Sequence, residues 1–119
     1  MKSREDAAAK IETVREAKLY RGLIKLSIRY GDILDEDANA IVNSSNMTMQ
    51  HTEGLSANIV RQGGAIIQQE SDMMMAKIFG YNMVPPGKCV LTSAGRLPFN
   101  HIIHTVGPVY ADGGQIKND

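Results

Sequence analysis

The stretch from Ala40 to Gly64, AIVNSSNMTMQHTEGLSANIVRQGG, constrains this chain more than any other. It opens on Ala40-Ile41-Val42, an apolar run that reads as a short buried strand. The run breaks into Asn43-Ser44-Ser45-Asn46, residue types that favour turns and bonds from side chain to backbone. Small and polar residues continue to Gly54. From Leu55 the spacing turns helical, with Leu55, Ile59 and Val60 on one face. A loop at the carboxyl end of a strand, followed by a helix start, is a common ligand-binding arrangement, because the first helical N–H groups lack intrahelical partners and face an anion. On this stretch alone, an ordinary strand-to-helix connection is the simpler reading.

The rest of the composition narrows the field. A chain of 119 residues builds one domain with a modest core, and 43% apolar residues place it among globular chains. Thirteen basic and thirteen acidic residues cancel, so no basic field argues for direct nucleic-acid binding. The absence of Trp, with only two Phe, argues against stacking platforms for single strands. Cys89 is alone, which rules out a disulfide framework, and its apolar run Lys88–Thr92 predicts a buried, inert thiol. No apolar segment approaches the roughly 18 residues of a membrane span, and the N-terminus lacks the apolar stretch of a signal peptide. The expectation is an intracellular protein, cytoplasmic or nuclear, away from membranes.

Taken in order, residues 1–22 form a separate block with an Ala7-Ala8-Ala9 run and no Gly before Gly22. They are expected to form a helical extension, a helix from about Arg4 to about Leu19, ahead of a domain over 23–119. Leu23 to Tyr30 alternates like a half-exposed strand, and Gly31-Asp32-Ile33-Leu34 turns the chain into an acidic loop. Gly63-Gly64 should split the region after Gly54 into two helices, since a glycine pair inside one helix costs roughly 2 kcal/mol. The second should run from Ala65 to Phe79. Its Met73-Met74-Met75 cannot all face one way, and gap-filling core is the favoured role. Lys88–Thr92 and Asn100–Val106 are the remaining strands, and the tail from Ala111 reads as loose and polar.

Classical chemistry is thin. His101 and His104, three apart on a strand, point to opposite faces, so no zinc site is expected, and His104 reads as a satisfied core or rim histidine. No serine has nucleophile-elbow spacing, and neither a dinucleotide fingerprint nor a P-loop is present. Glu53, the one carboxylate of the central loop, reads as solvated. No cofactor is implied.

Four features do stand out: Gly31-Asp32-Ile33 after one strand, Asn43-x-x-Asn46 after the next, T-S-A-G-x-L-P at Thr92–Pro98, and I-I-H-T-V-G-P at Ile102–Pro108. In this order they resemble the macrodomain family, which binds ADP-ribose, over Leu26 to Tyr110. The resemblance implies an α/β fold, a three-layer α/β/α arrangement with a mixed central sheet. It also implies roles. Asp32, with Ile33 beside it, would accept a hydrogen bond from the adenine amino group, as suits an acceptor-only carboxylate. Asn46, the second Asn of a motif opened by Asn43, would bond the distal ribose. The family's glycine-rich diphosphate loop corresponds to His51–Ser56, which places Gly54, Leu55 and Ser56 at the anion.

The chain also departs from the pattern. Hydrolases of this family resemble a pattern with an Asp two residues after the last loop glycine, and here Ser56 occupies that place. No catalytic residue is therefore assigned. The resemblance is closer to members that bind ADP-ribose or an ADP-ribosylated protein without hydrolysing it. The alternatives are a mono-ADP-ribosyl hydrolase and a degenerate interaction module. The family pattern continues beyond the matched stretch, so the C-terminal part of the fold is expected to be missing. Asn100–Val106 should then form an open sheet edge that favours self-association or a complementing chain.

Overall fold

A computed structural model describes residues 4–80, 82–110 and 116–117. The chain forms two compact units, Met1–Ala38 and Asn39–Asp119. The division expected after residue 22 falls inside the first unit, in a hairpin turn.

The first unit holds a short helix α1 (Arg4–Ala8), strands β1 (Glu12–Leu19) and β2 (Ile24–Tyr30), and a 3-10 turn at Ile33–Asp35. The helix expected to reach Leu19 is therefore a single turn followed by a strand. Two features outweigh the helical propensity of the Ala, Glu and Lys residues. Tyr20, Arg21 and Gly22 all adopt positive φ (51°, 58° and 88°), which folds the chain back as a tight reversal. β1 then gains a full antiparallel ladder from β2, with Leu19 opposite Ile24 and Glu12 opposite Tyr30. Cross-strand contacts reinforce it, Lys25 Nζ to Glu16 at 3.6 Å and Ser27 Oγ to the same carboxylate at 3.3 Å.

In the second unit β3 (Ala40–Ser45), β4 (Cys89–Thr92) and β5 (His101–Val106) form a sheet in the order β3-β5-β4. β5 runs parallel to β3 and antiparallel to β4, so the sheet is mixed as expected. Helices α2 (Gly54–Gly63) and α3 (Ile66–Phe79) separate at the glycine pair, where Gly64 takes φ 106°. Gly63 has no room for a side chain either, because a Cβ there would collide with the Ile67 Cδ1. The two helices cover one sheet face. On it lie Ile41, Asn43 and Ser45 of β3, Ile102, His104 and Val106 of β5, and Val90 and Thr92 of β4, all buried. Val42 and Leu91 lie on the opposite face, 54% and 50% exposed.

Several expectations change here. β3 continues through Asn43-Ser44-Ser45, where a turn was expected, because β5 offers His104, Thr105 and Val106 as parallel partners. The segment expected at an open edge, Asn100–Val106, is the middle strand, paired on both sides. Cys89 is exposed, since the alternation of β4 turns Val90 and Thr92 inward and Cys89 and Leu91 outward. Of the methionine run, Met75 is buried and Met73 is 66% exposed, so only part of it fills the core. In the tail from Ala111, expected to be loose, β7 (Ile116–Lys117) pairs with β6 (Val109–Tyr110) ahead of it, and residues 111–115 and 118–119 lie outside the described residues.

Candidate functional site

The loop from Asn46 to Glu53 joins β3 to α2, and three devices hold it. Asn46 shapes it from within. Its Oδ1 accepts from the Gln50 N–H at 2.9 Å and the Thr48 hydroxyl at 3.1 Å, while its Nδ2 donates to the Gln50 carbonyl at 2.8 Å. Met49 anchors the loop in the core, fully buried in a cluster with Met75, Val84, Val90 and Val106, and it does so from a left-handed backbone (φ 56°). A non-glycine residue held there costs on the order of 1 kcal/mol, which the buried side chain offsets. α3 clamps the loop from the side. Gln68 accepts from the His51 N–H at 3.0 Å and donates to the Met49 carbonyl at 2.9 Å, and Asp72 accepts from Gln50 Nε2 at 3.1 Å.

Beneath the loop runs a buried polar chain. Ser71 Oγ donates to the Ile67 carbonyl at 2.8 Å, and His51 Nε2 lies 2.9 Å from that hydroxyl. His51 Nδ1 meets Ser56 Oγ at 3.2 Å, and Ser56 Oγ accepts from Asn43 Nδ2 at 2.8 Å. Asn43 Nδ2 also donates to His104 Nδ1 at 3.0 Å, and His104 Nε2 lies 2.8 Å from Thr92 Oγ1. The two imidazoles stack with centroids 4.8 Å apart. Burial lowers His104 to about 4, and the neighbouring His51 adds to the effect. Burial also lowers His51, against the pull of the Asp72 carboxylate.

The loop ends at a helix start open to a ligand. Gly54 opens α2 at φ 63°, with space on the side where a Cβ would stand. The preceding Glu53 makes no side-chain cap, and the first turn carries no acidic residue. The leading N–H groups of α2 are thus free of a competing carboxylate within the helix, which suits an anion. Beside the loop lies a hollow of about 430 Å³ lined by Thr48, Gln50, Asp72, Met75, Asn82 and Met83. Among the described residues no three His, Cys, Asp or Glu side chains converge as a metal site.

The Macro domain family matches residues 42–119. The chain belongs to that family. Among solved structures, a macrodomain from Oceanobacillus iheyensis with ADP superimposes at a TM-score of 0.78 and 27% identity, covering 86% of this chain and 52% of the other. A Trypanosoma brucei macrodomain in complex with ADP-ribose aligns at a TM-score of 0.58 and 31% identity, over 68% of this chain and 32% of that one. Among curated proteins, an O-acetyl-ADP-ribose deacetylase of Pantoea vagans is 37% identical over 89 residues, 75% of this chain and 50% of that protein. The chain spans about half the length of most of the curated relatives it matches.

The residues singled out in the sequence fall into two groups. Asp32 and Ile33 line a small hollow of about 200 Å³ in the first unit with Ile11, Arg29, Gly31 and Glu36. Asp32 Oδ1 accepts from the Leu34 N–H at 3.0 Å and so caps the 3-10 turn. Asn43, Asn46, Gly54, Leu55 and Ser56 gather in the second unit. There Asn46 and Leu55 are exposed, while Asn43 and Ser56 are buried with their side chains engaged beneath the loop. Sequence reasoning missed Gln68, Ser71 and Asp72 as the residues that hold the loop. Their signal was a polar stripe at i, i+3 and i+4 on a helix otherwise read for its methionines.

Proposed function

We propose that this chain recognises ADP-ribose, free or attached to a protein, and binds it without hydrolysing it. The observation that carries the reading is the opening of α2: a pinned loop delivers a helix start without side-chain cap or acidic first turn, in a fold shared with macrodomains that hold ADP or ADP-ribose. In this reading the N–H groups from Gly54 to Ser56 meet the diphosphate, Asn46 meets the distal ribose, and the Asp32 carboxylate accepts from the adenine amine.

Ser56 supports the non-hydrolytic part. It stands where the resembling hydrolases carry an Asp, and its hydroxyl is buried and bonded to Asn43 and His51. A side chain so engaged has neither the charge nor the freedom to activate a water. The likeness to the Pantoea vagans deacetylase favours a second reading, in which water attack is assisted by the substrate itself.

Calorimetric titration with ADP-ribose tests recognition, and the absence of heat at high ligand concentration would remove it. Incubation with an ADP-ribosylated protein and with O-acetyl-ADP-ribose separates the two readings, since release of ADP-ribose or of acetate establishes the enzyme. Asp32→Ala should weaken binding by about 1.5–3 kcal/mol, the range for a hydrogen bond to a charged group. An unchanged affinity would refute the adenine assignment.

A further inference from the structure

The donor pattern of the buried chain fixes the protonation of both histidines. Ser71 and Thr92 each donate their one hydroxyl proton to a carbonyl, of Ile67 at 2.8 Å and of Ser93 at 2.9 Å. Each hydroxyl can then only accept from its imidazole, so both rings carry their proton on Nε2 and accept at Nδ1. The two Nδ1 atoms face inward on the same short chain, where Asn43 donates to His104 and to Ser56, and the one proton of the Ser56 hydroxyl is shared between His51 Nδ1 at 3.2 Å and the Ser44 carbonyl at 3.3 Å. This orientation leaves Asn43 Oδ1 buried with no partner among the described residues. A second proton on either ring would set N–H against the groups that now donate to it, and the chain of donors would have to reverse.

We propose that His51 is a positioning residue that holds the anion loop against α3 only while the stacked pair is uncharged, which makes ligand binding sensitive to acid. The inference rests on the loop being the ADP-ribose site. His51 ties the loop backbone, which continues directly into Gly54, to the sheet through Ser56 and Asn43. Its ring reaches Ser71 and its N–H reaches Gln68, both on α3. The groups facing the pair are few. α3 presents the Asp72 carboxylate, which favours a charged His51 but is outweighed by burial. β5 contributes His104 itself, and β3, β4 and α2 contribute Asn43, Thr92 and Ser56, none of which ionises. Two cations 4.8 Å apart in this setting would repel each other and lack acceptors.

The test is ADP-ribose affinity of the full chain from pH 7.5 to 4, with circular dichroism at each pH to show that the fold persists. The expected result is an affinity that falls with acid in a folded chain, steepest below pH 5 and lower by threefold or more at pH 4. His51→Ala should lose about tenfold already at pH 7.5. His51→Gln keeps an N–H donor near Ser71 without a titrating ring, so it should bind within about threefold of the native chain and lose most of the pH dependence. A flat native profile, a His51→Ala variant that binds normally, or a His51→Gln variant that falls with acid like the native chain overturns the proposal. Should ADP-ribose fail to bind at any pH, the functional reading fails and nitrogen-15 spectra still decide this one. Both rings should carry the proton on Nε2 at neutral pH, and the amides from Asn46 to Gly54 should shift together with the His51 titration. A proton on either Nδ1, or loop amides that ignore that titration, refutes it.

Discussion

The two faces of the β3-β5-β4 sheet treat their polar residues differently. The face under the helices buries Asn43, Thr92 and His104 among its apolar side chains, whereas the open face presents Val42 and Leu91, each at least half exposed. Burying polar groups costs free energy unless each finds a partner. On the covered face nearly all do, through one continuous chain from Ser71 to Thr92. The difference shows where this fold invests its precision: the covered face supports the loop that leads to the helix start, and among the described residues the open face carries no comparable chain of side chains.

The sharpest way to break the comparison is at its centre. Asn43→Ala removes the donor shared by Ser56 and His104 and leaves a void at a fully buried position. The lost bonds and the cavity together should destabilise the chain by about 2–3 kcal/mol, read from urea unfolding. A loss under about 0.5 kcal/mol would mean that the polar chain is tolerated without supporting the fold.

Acid probes the same face more gently. His104 has an ordinary value of 6.5 in the unfolded chain and about 4 in the folded one, so the folded state holds fewer protons in between. Its contribution is fully present above pH 6.5 and lost as pH falls towards 4. At about 1.4 kcal/mol per pH unit that interval amounts to roughly 3 kcal/mol at full extent, with about half gone near pH 5. The lowered His51 acts in the same direction. Unfolding free energies measured between pH 7 and 5 check the sign, and a His104→Asn variant should flatten the slope.

How far these features could be read from residues alone depends on range. The strand and helix periods, the break at Gly63-Gly64 and the inward-facing His104 were legible, because each follows from local spacing or from a residue type with a strong backbone preference. The β1 strand was not. Its own residues favour a helix, and only the left-handed reversal at Tyr20–Gly22 and the ladder with β2 decide otherwise. The extension of β3 through Ser45 and the central place of β5 depend on pairing across 60 residues of sequence, which no window reveals. At the candidate site, the motif marked Asn43 and Ser56 as neighbours of a ligand. The structure places both side chains beneath the loop, where burial and hydrogen bonding give them a supporting role that a motif cannot distinguish from contact.

The smallest effect belongs to the open face. Leu91 alternates outward from β4 and is 50% exposed, with Ile103 opposite it on β5. Leu91→Thr keeps a residue suited to a strand, so backbone propensity changes little. Half of the side chain already meets water, and truncating it forfeits only the buried portion of its apolar area. The expected change in unfolding free energy is within about 0.5 kcal/mol, as for most surface substitutions. A loss of 2 kcal/mol or more by urea unfolding would show that this face is covered in solution, and the contrast between the two faces would then describe two interiors instead of an interior and a surface.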